Sequence, residues 1–385
     1  MKNLLIYSLA AMIGLLLTEG KAYAWFGNTH KDILEKSLKL LEGQKNKEYF
    51  SFFLKYRDDL LDRCTEPDNK GDIDKGSGMH YYCAANKRGK PLENTEGYYK
   101  NRLGKYNRSA RTMLEENYTM ALSLFKSGKQ KQAMHMLGRA IHFIQDIGCT
   151  VHSSGIRYGS RAKNPHYAFE KYAQNNFSAI PAADSLDKRA QKAYATALEK
   201  AANKLAEYSS SYTADVRSLD KNIYAKILKS THSATQQYPA FLLIRFYNDI
   251  NNNSDDYLVS GHKYCFKNLK TSGALTAASK KLILDEQTNS PKQVFTIKLC
   301  SDGSFMLIAS NNKYVKGNCK GYINDPGTKR PIAFRAAALG NRTFRITTQA
   351  SKFKKVLSSN KNGVLVIKRF SPNDKGAVWI IKKER

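Results

Sequence analysis

Proline, tryptophan and acidic residues are scarce in this chain, and each scarcity narrows what it can be. Nine prolines in 385 residues leave long stretches free to run as helix. Tryptophan occurs twice, once as Trp25. Asp and Glu number 33 against 63 Lys and Arg, a formal net charge of +30. That balance favours anionic partners: acidic phospholipid, lipopolysaccharide, nucleic acid or acidic glycan. No Cys-x-x-Cys spacing occurs, so a thiolate zinc site is not expected. After residue 24 no run is apolar for the ~18 residues that a membrane span needs.

The first 24 residues are different in kind. Lys2 is a short positive start, Leu4 to Leu17 is mostly apolar, and Ala22-Tyr23-Ala24 fits a small-residue cleavage rule. A secretory signal peptide cut after Ala24 is expected, leaving Trp25 as the first mature residue of a secreted or periplasmic protein. All six cysteines lie beyond the cut. An even count in an exported chain suggests disulfides. Cys64 with Cys83 and Cys300 with Cys319 are attractive local pairs, but sequence leaves the pairing open.

What the chain does have is a change of period. From about 28 to 250 apolar residues recur at helical spacing: Ile33 to Leu41, Met113 to Phe125, Ala133 to Ile147, Ala190 to Ala206 and Ile223 to Ile250. Thr65 to Thr95 reads as polar loop, and Pro239 is expected to break or kink the last helix. Asn251 to Asp256 is turn-rich, and short alternating runs follow it. These repeat. Phe295 and Phe334 are 39 residues apart, as are Phe305 and Phe344, and Tyr314 and Phe353. Val294–Ile297, Ala333–Ala336 and Val378–Ile381 each read as a closing strand. The expected architecture is multidomain α and β: signal peptide 1–24, all-α domain 25–255, all-β domain 268–385. Three units of roughly 40 residues fit a β-trefoil, resembling ricin-B-like or fascin-like trefoils, over a lipid-binding β-sandwich. Residues 271–385 hold 22 Lys and Arg against six Asp and Glu, so this part reads as an anion-seeking or surface-docking module.

Five of eight histidines fall beside carboxylates or the mature N-terminus. His142 and Asp146 lie four apart, hence on one helix face, and so do His166 and Glu170. His152 lies just past a helix end. Asp68 and His80 share the polar loop, and His30 follows Trp25 by five. Nitrogen and carboxylate donors at such spacings suit zinc. His135, His232 and His262 read as structural or surface histidines.

The ladder His142-x3-Asp146-x5-His152-x13-His166-x3-Glu170 resembles bacterial zinc-dependent phospholipases C, the family of clostridial alpha-toxin and the Bacillus phosphatidylcholine-hydrolysing enzyme. The resemblance covers about residues 25 to 250. It implies three Zn2+ per chain. Asp68, His80, His142 and Asp146 would hold one, and His152, His166 and Glu170 a second. Trp25 (through its free amine and carbonyl), His30 and a shared Asp146 would hold the third. Asp68 is the implied general base. The implied reaction releases diacylglycerol and a phosphorylated head group at an anionic phospholipid surface, by a monomer. A glycan or other anionic ligand is expected at the β domain.

Two departures bear on this. Asn69 stands where choline-hydrolysing relatives carry an aromatic residue, leaving Tyr81 and Tyr82 as candidate aromatic faces for a head group. The short Trp25–His30 spacing also occurs in secreted single-strand zinc nucleases, the alternative reading. Those nucleases place the last His further away and pair it with Asp, so nucleic acid is not the expected partner.

Overall fold

The computed structural model describes residues 25–384 apart from Phe26, 44–46, Lys70, Ile73, 75–77, 83–98, 101–105, 160–162, 253–256, 279–280, Asn289, 317–330, 349–354 and Pro372. Its first part is helical: α1 Gly27–Glu42, α2 Lys47–Leu54, α3 Arg57–Arg63, α4 Ala110–Lys126, α5 Gln130–Gly148 and α6 Thr150–Ser153. Then come α7 Pro165–Asn176, α8 Lys188–Thr196, α9 Leu198–Ser210, α10 Thr213–Val216 and α11 Lys221–Asn251. Helix α1 buries His30, Ile33, Leu34, Ser37, Leu38 and Leu41, a stripe at three- and four-residue spacing. Helix α4 opens with a reciprocal cap, in which Ser109 Oγ accepts from Thr112 N and Thr112 Oγ1 accepts from Ser109 N at 2.8 Å.

Two helical expectations change. The single helix expected over 190–206 is two, because Ala197 is extended (φ −167°) between α8 and α9. Helix α11 runs through Pro239 without ending. Residues 235–243 of that helix are all buried, and packing on this scale offsets the one backbone bond that proline removes.

The second part is all β: β3 Lys263–Asn268, β4 Ala274–Ala278, β5 Lys281–Asp285, β6 Val294–Leu299, β7 Phe305–Ala309, β8 Phe334–Gly340, β9 Thr343–Thr348, β10 Val356–Ser359, β11 Leu365–Lys368 and β12 Val378–Lys383. Before it, β1 Tyr99–Lys100 and β2 Tyr106–Asn107 form a small antiparallel pair. Strand β3 pairs with β6, β6 with β7, β7 with β8, β8 with β9, β9 with β12, and β12 with β3 again. Six antiparallel strands thus close a barrel-like ring, and two facing open sheets are not what forms. Hairpins β4–β5 and β10–β11 extend from it. Inward alternation fills the ring with Phe266, Phe295, Phe305, Phe334, Phe344 and Trp379, all buried. Phe295, Phe305, Phe334 and Phe344 are the two 39-residue pairs visible in the sequence; of the third pair Tyr314 is half-buried and Phe353 lies outside the described residues.

The described cysteines, Cys64, Cys149, Cys265 and Cys300, form no disulfide with one another. Their expected partners Cys83 and Cys319 lie outside the described residues, as do the signal segment and part of the 65–95 loop.

The β part seats on α4, which explains why that helix is buried from Ala110 to Leu124. Ala338 N donates to Thr119 Oγ1 at 3.0 Å, and Arg108 bridges Glu116 at 2.6 Å and Thr347 Oγ1 at 2.7 Å. Gly303 sits where the surfaces meet, at φ +74°, and a Cβ there would lie 2.6 Å from Met120 Cβ. Gly128 has a similar φ of +77° with open space around it. Gly128→Ala should therefore cost about 1–2 kcal/mol from the left-handed backbone alone. Gly303→Ala should cost about 1–3 kcal/mol more, because it also overpacks the seat. Denaturant unfolding of both variants checks the difference, and equal losses would refute a close-packed seat.

Candidate metal centre

Helices α1, α5, α6 and α7 bring the polar side chains together within an apolar surround. His30, His142, Asp146, His152, His166 and Glu170 are fully buried, and His80 nearly so. Asp68 ends a short 3-10 turn, Glu66–Asp68, and is 7% exposed. Ligand atoms of His30, His142 and Asp146 lie within 4.8 Å of one another, as do those of Asp68, His80 and His142, and those of Cys149, His152 and Glu170.

The histidines are aimed by what their other nitrogen does. Carbonyl oxygens can only accept, so Nδ1 of His142 donates to Cys64 O (2.8 Å), of His152 to His80 O (2.7 Å) and of His166 to Ile156 O (2.5 Å). His30 Nδ1 donates to Gln145 Oε1 at 2.6 Å, and Gln145 Nε2 in turn donates to His30 O at 3.1 Å, which fixes the amide orientation. Each ring then turns its Nε2 inward, as a lone pair wherever the ring is neutral. His152 Nε2 and His166 Nε2 meet the same Glu170 oxygen at 3.0 and 2.9 Å. His142 Nε2 meets Asp146 Oδ2 at 3.2 Å, and His30 Nε2 lies 3.6 Å from Asp146 Oδ1. Lone pairs facing carboxylate oxygens repel unless a proton or a metal cation lies between them.

The electrostatics carry the same message. Burial, reinforced by His142, lowers the His30 pKa to about 3, so that ring is neutral. Burial also lowers His80. At His142 burial is outweighed by Asp146 and Asp68, and at His152 by Glu170 and Asp146, so both are pushed up. Asp146 is held well below the usual carboxylate range: burial opposes this, but His142 and His80 prevail. The field that would hold a proton there would hold a divalent cation equally well. His30 Nε2, His80 Nε2, Asp146 Oδ1 and Glu170 Oε2 are buried and make no hydrogen bond among the described residues. These donors fit zinc.

Trp25 is fully buried and its indole Nε1 donates to Gln145 O at 2.9 Å, so one residue of α5 anchors both Trp25 and His30. The sequence reading missed Gln145. Its only trace was a polar residue next to Asp146 within an apolar helical run. Cys149 comes close to His152 and Glu170, but burial and the Glu170 charge push its thiol well up, leaving His166 the better donor at neutral pH. Tyr81 is no head-group face. It is buried, with its ring stacked on His152 at 4.7 Å and its hydroxyl accepting from Tyr158 N at 3.2 Å. Tyr82 binds Asn203 at 2.5 Å. His135 pairs with Asp59 and His232 with Asp32, both at 3.1 Å, outside the cluster.

Removing the His30 acceptor should loosen one corner of this centre. Gln145→Leu is expected to weaken zinc retention by about tenfold or more, a usual cost of losing a ligand's supporting hydrogen bond. Gln145→Glu, which keeps an acceptor, should retain more. Zinc content after equilibrium dialysis decides, and Gln145→Leu matching the parent would refute the anchoring role.

The chain matches the family described as "Zinc dependent phospholipase C" over residues 29–233. Among solved structures it is similar to an alpha-toxin from an avian strain of Clostridium perfringens, with 14% identity and TM-score 0.48 over 78% of this chain and 99% of that one. It is likewise similar to an alpha toxin from Clostridium absonum, with 13% identity and TM-score 0.48 over 88% and 98%. A designed three-fold symmetric protein, ThreeFoil, covers 31% of this chain and 96% of its own, with 16% identity and TM-score 0.27. No curated protein matches.

Proposed function

The chain belongs to the zinc-dependent phospholipase C family, and we propose that it is exported, is cut before Trp25, and hydrolyses membrane phospholipid with three zinc ions. The observation that carries the metal assignment is the pair of imidazole nitrogens, His152 and His166 Nε2, converging on one Glu170 oxygen. Trp25, His30 and Asp146 would hold one ion. Asp68, His80, His142 and Asp146 would hold another, and His152, His166 and Glu170 a third. Bound zinc supplies positive charge for the phosphate oxygens and lowers the pKa of nearby water.

The rest falls to the protein. Four rings are already pointed inward by Gln145 and three backbone carbonyls, so little reorganises when the ions bind. Asp146 and Glu170, fully buried, balance the ionic charge. Asp68 is the carboxylate of the cluster that reaches solvent, at 7% exposure, which suits it to take the proton of the attacking water. Diacylglycerol and a phosphorylated head group leave. Nothing observed supports the nuclease alternative.

The β domain reads as a trefoil. Support comes from its closed six-strand ring, from closing strands at 294–299, 334–340 and 378–383, and from hairpins in the first and third units. The middle unit's counterpart falls on 317–330, outside the described residues. With its basic surplus this domain would dock on anionic lipid or another anionic ligand, in a monomeric enzyme.

Head-group release from mixed vesicles, run beside single-stranded DNA cleavage, tests the reading. Release abolished by chelation and restored by zinc is expected, and DNA cleavage without lipid hydrolysis would overturn it. Asp146→Asn should lose more zinc than His135→Ala, because Asp146 faces three imidazoles whereas His135 has one surface partner. One residue added before Trp25 removes the free α-amine from that position. It should lower zinc content and activity together, and a fully loaded, fully active extended protein would refute the N-terminal ligand.

A further inference from the structure

Four acidic residues, Glu66, Asp68, Asp72 and Asp74, crowd into the nine positions 66–74 of a strongly basic protein. Two buried arginines answer them. Arg139 stands on α5 one turn before His142 and is 4% exposed. Its Nη1 donates to Glu66 Oε2 (2.8 Å) and Asp72 Oδ2 (2.7 Å), and its Nη2 to Asp72 Oδ1 and Asp74 Oδ2 (2.7 Å each). Asp74 is fully buried and also meets Arg335 of β8, whose Nη1 lies 3.0 Å from Oδ1 and 3.3 Å from Oδ2. Arg335 is itself 2% exposed. A chain of opposite charges therefore runs from the metal-bearing helix, through the segment that carries Asp68, into the β domain.

We infer that Arg335 is a positioning residue for the Asp68 segment, so that the β domain completes the metal centre as well as docking the enzyme on its substrate. The inference rests on the proposed role of Asp68 as a ligand. The physical reason is counter-charge. Asp74 without Arg335 is a buried carboxylate that has lost a guanidinium counter-charge, and it regains balance by moving toward water or taking up a proton. Either change shifts the segment six residues after Asp68, which Arg139 and, through Glu66, Arg63 tie to the helical domain. Domain seating has ties other than Arg335, because Arg108–Glu116–Thr347 and Thr119–Ala338 hold the same interface elsewhere. Positioning and docking are thereby separable.

The test uses the full-length zinc protein, with Arg335→Met, Arg335→Lys and, as an interface control, Thr119→Val. Zinc release to a chelator, kcat and KM on a monomeric short-chain phosphatidylcholine below its micelle concentration, vesicle binding and Tm are all measured. In Arg335→Met a fraction of the zinc should leave about tenfold faster and kcat should fall to a similar degree, with KM and vesicle binding held. Arg335→Lys, which keeps one charged donor, should recover most of both. Thr119→Val should lower Tm without speeding zinc release. Parent-like zinc release and kcat in Arg335→Met, with only Tm or vesicle binding changed, would overturn the inference, and so would equal acceleration in Thr119→Val. Should Arg335→Met not fold, Arg335→Gln, which keeps length but no charge, takes its place: parent-like zinc release refutes the inference, and faster release that Arg335→Lys largely restores supports it. Failure of the parent to hydrolyse any phospholipid would sink the substrate reading instead, while zinc release would still judge Arg335.

Discussion

Carbonyl oxygens aimed at imidazole Nδ1–H groups are the constraint from which the centre follows. A histidine whose Nδ1 is committed to Cys64, His80 or Ile156 carbonyls has only its Nε2 lone pair to offer, and the fold offers it to Asp146 and Glu170. Burying carboxylates against lone pairs is unfavourable by itself. Such a cluster is stable at neutral pH only with protons or cations inside it, and the neutral His30 ring shows that protons do not fill every position. Helix geometry makes the arrangement cheap to build. Asp146 follows His142, and Glu170 follows His166, by one turn, so two rigid elements deliver four donors. The supporting contacts are partly mutual, since the carbonyl that orients His152 belongs to His80, itself in the cluster.

The charge distribution is a second consequence. The protein is basic overall, yet acids concentrate where metal cations and buried guanidinium groups need them. Arg139 and Arg335 neutralise the carboxylates of 66–74 that face away from the centre, which leaves Asp68 to face into it. Without those arginines Glu66, Asp72 and Asp74 would lose the ion pairs that offset their mutual repulsion. Net charge and local charge thus do different work. The surplus over 271–385 acts at long range on anionic surfaces, and the paired charges at 66–74 fix geometry at contact distance.

How much of this was legible in the sequence depended on range. The His142/Asp146 and His166/Glu170 pairs were readable because a four-residue spacing fixes two side chains on one helix face whatever else the chain does. The β repeat was readable because its aromatics recur every 39 residues, and Phe295, Phe305, Phe334 and Phe344 of it are buried in one ring. Gln145, Arg139, Asp74 and Arg335 were not readable, since their partners lie 65 to 261 positions away and polar residues inside a helix or strand leave no periodic mark. Tyr81 was misread for a related reason. Adjacency to His80 suggested exposure near a substrate, whereas its ring is spent covering His152. The split at Ala197 left no signal either, because alanine favours helix and only tertiary context makes it extended.

Helix α4 shows why the two domains are hard to consider apart. Its helical-domain face packs in the bundle core and its opposite face carries the β domain, so fifteen consecutive residues, Ala110 to Leu124, are buried. An amphipathic helix ending a free-standing domain would keep one polar face in water. Here the polar residues of that face, Glu116, Thr119 and Ser123, are instead matched to Arg108, Ala338 N and Leu258 N. A helical domain released from its partner would expose those groups together with Met120, against which Gly303 is packed. The sequence of α4 therefore already encodes the docked state, and the buried Arg335–Asp74 pair lies within the same contact. Association of the domains and the Arg335–Asp74 contact share that interface but use different residues of it, so the interface can be weakened at Thr119 without touching the 66–74 segment.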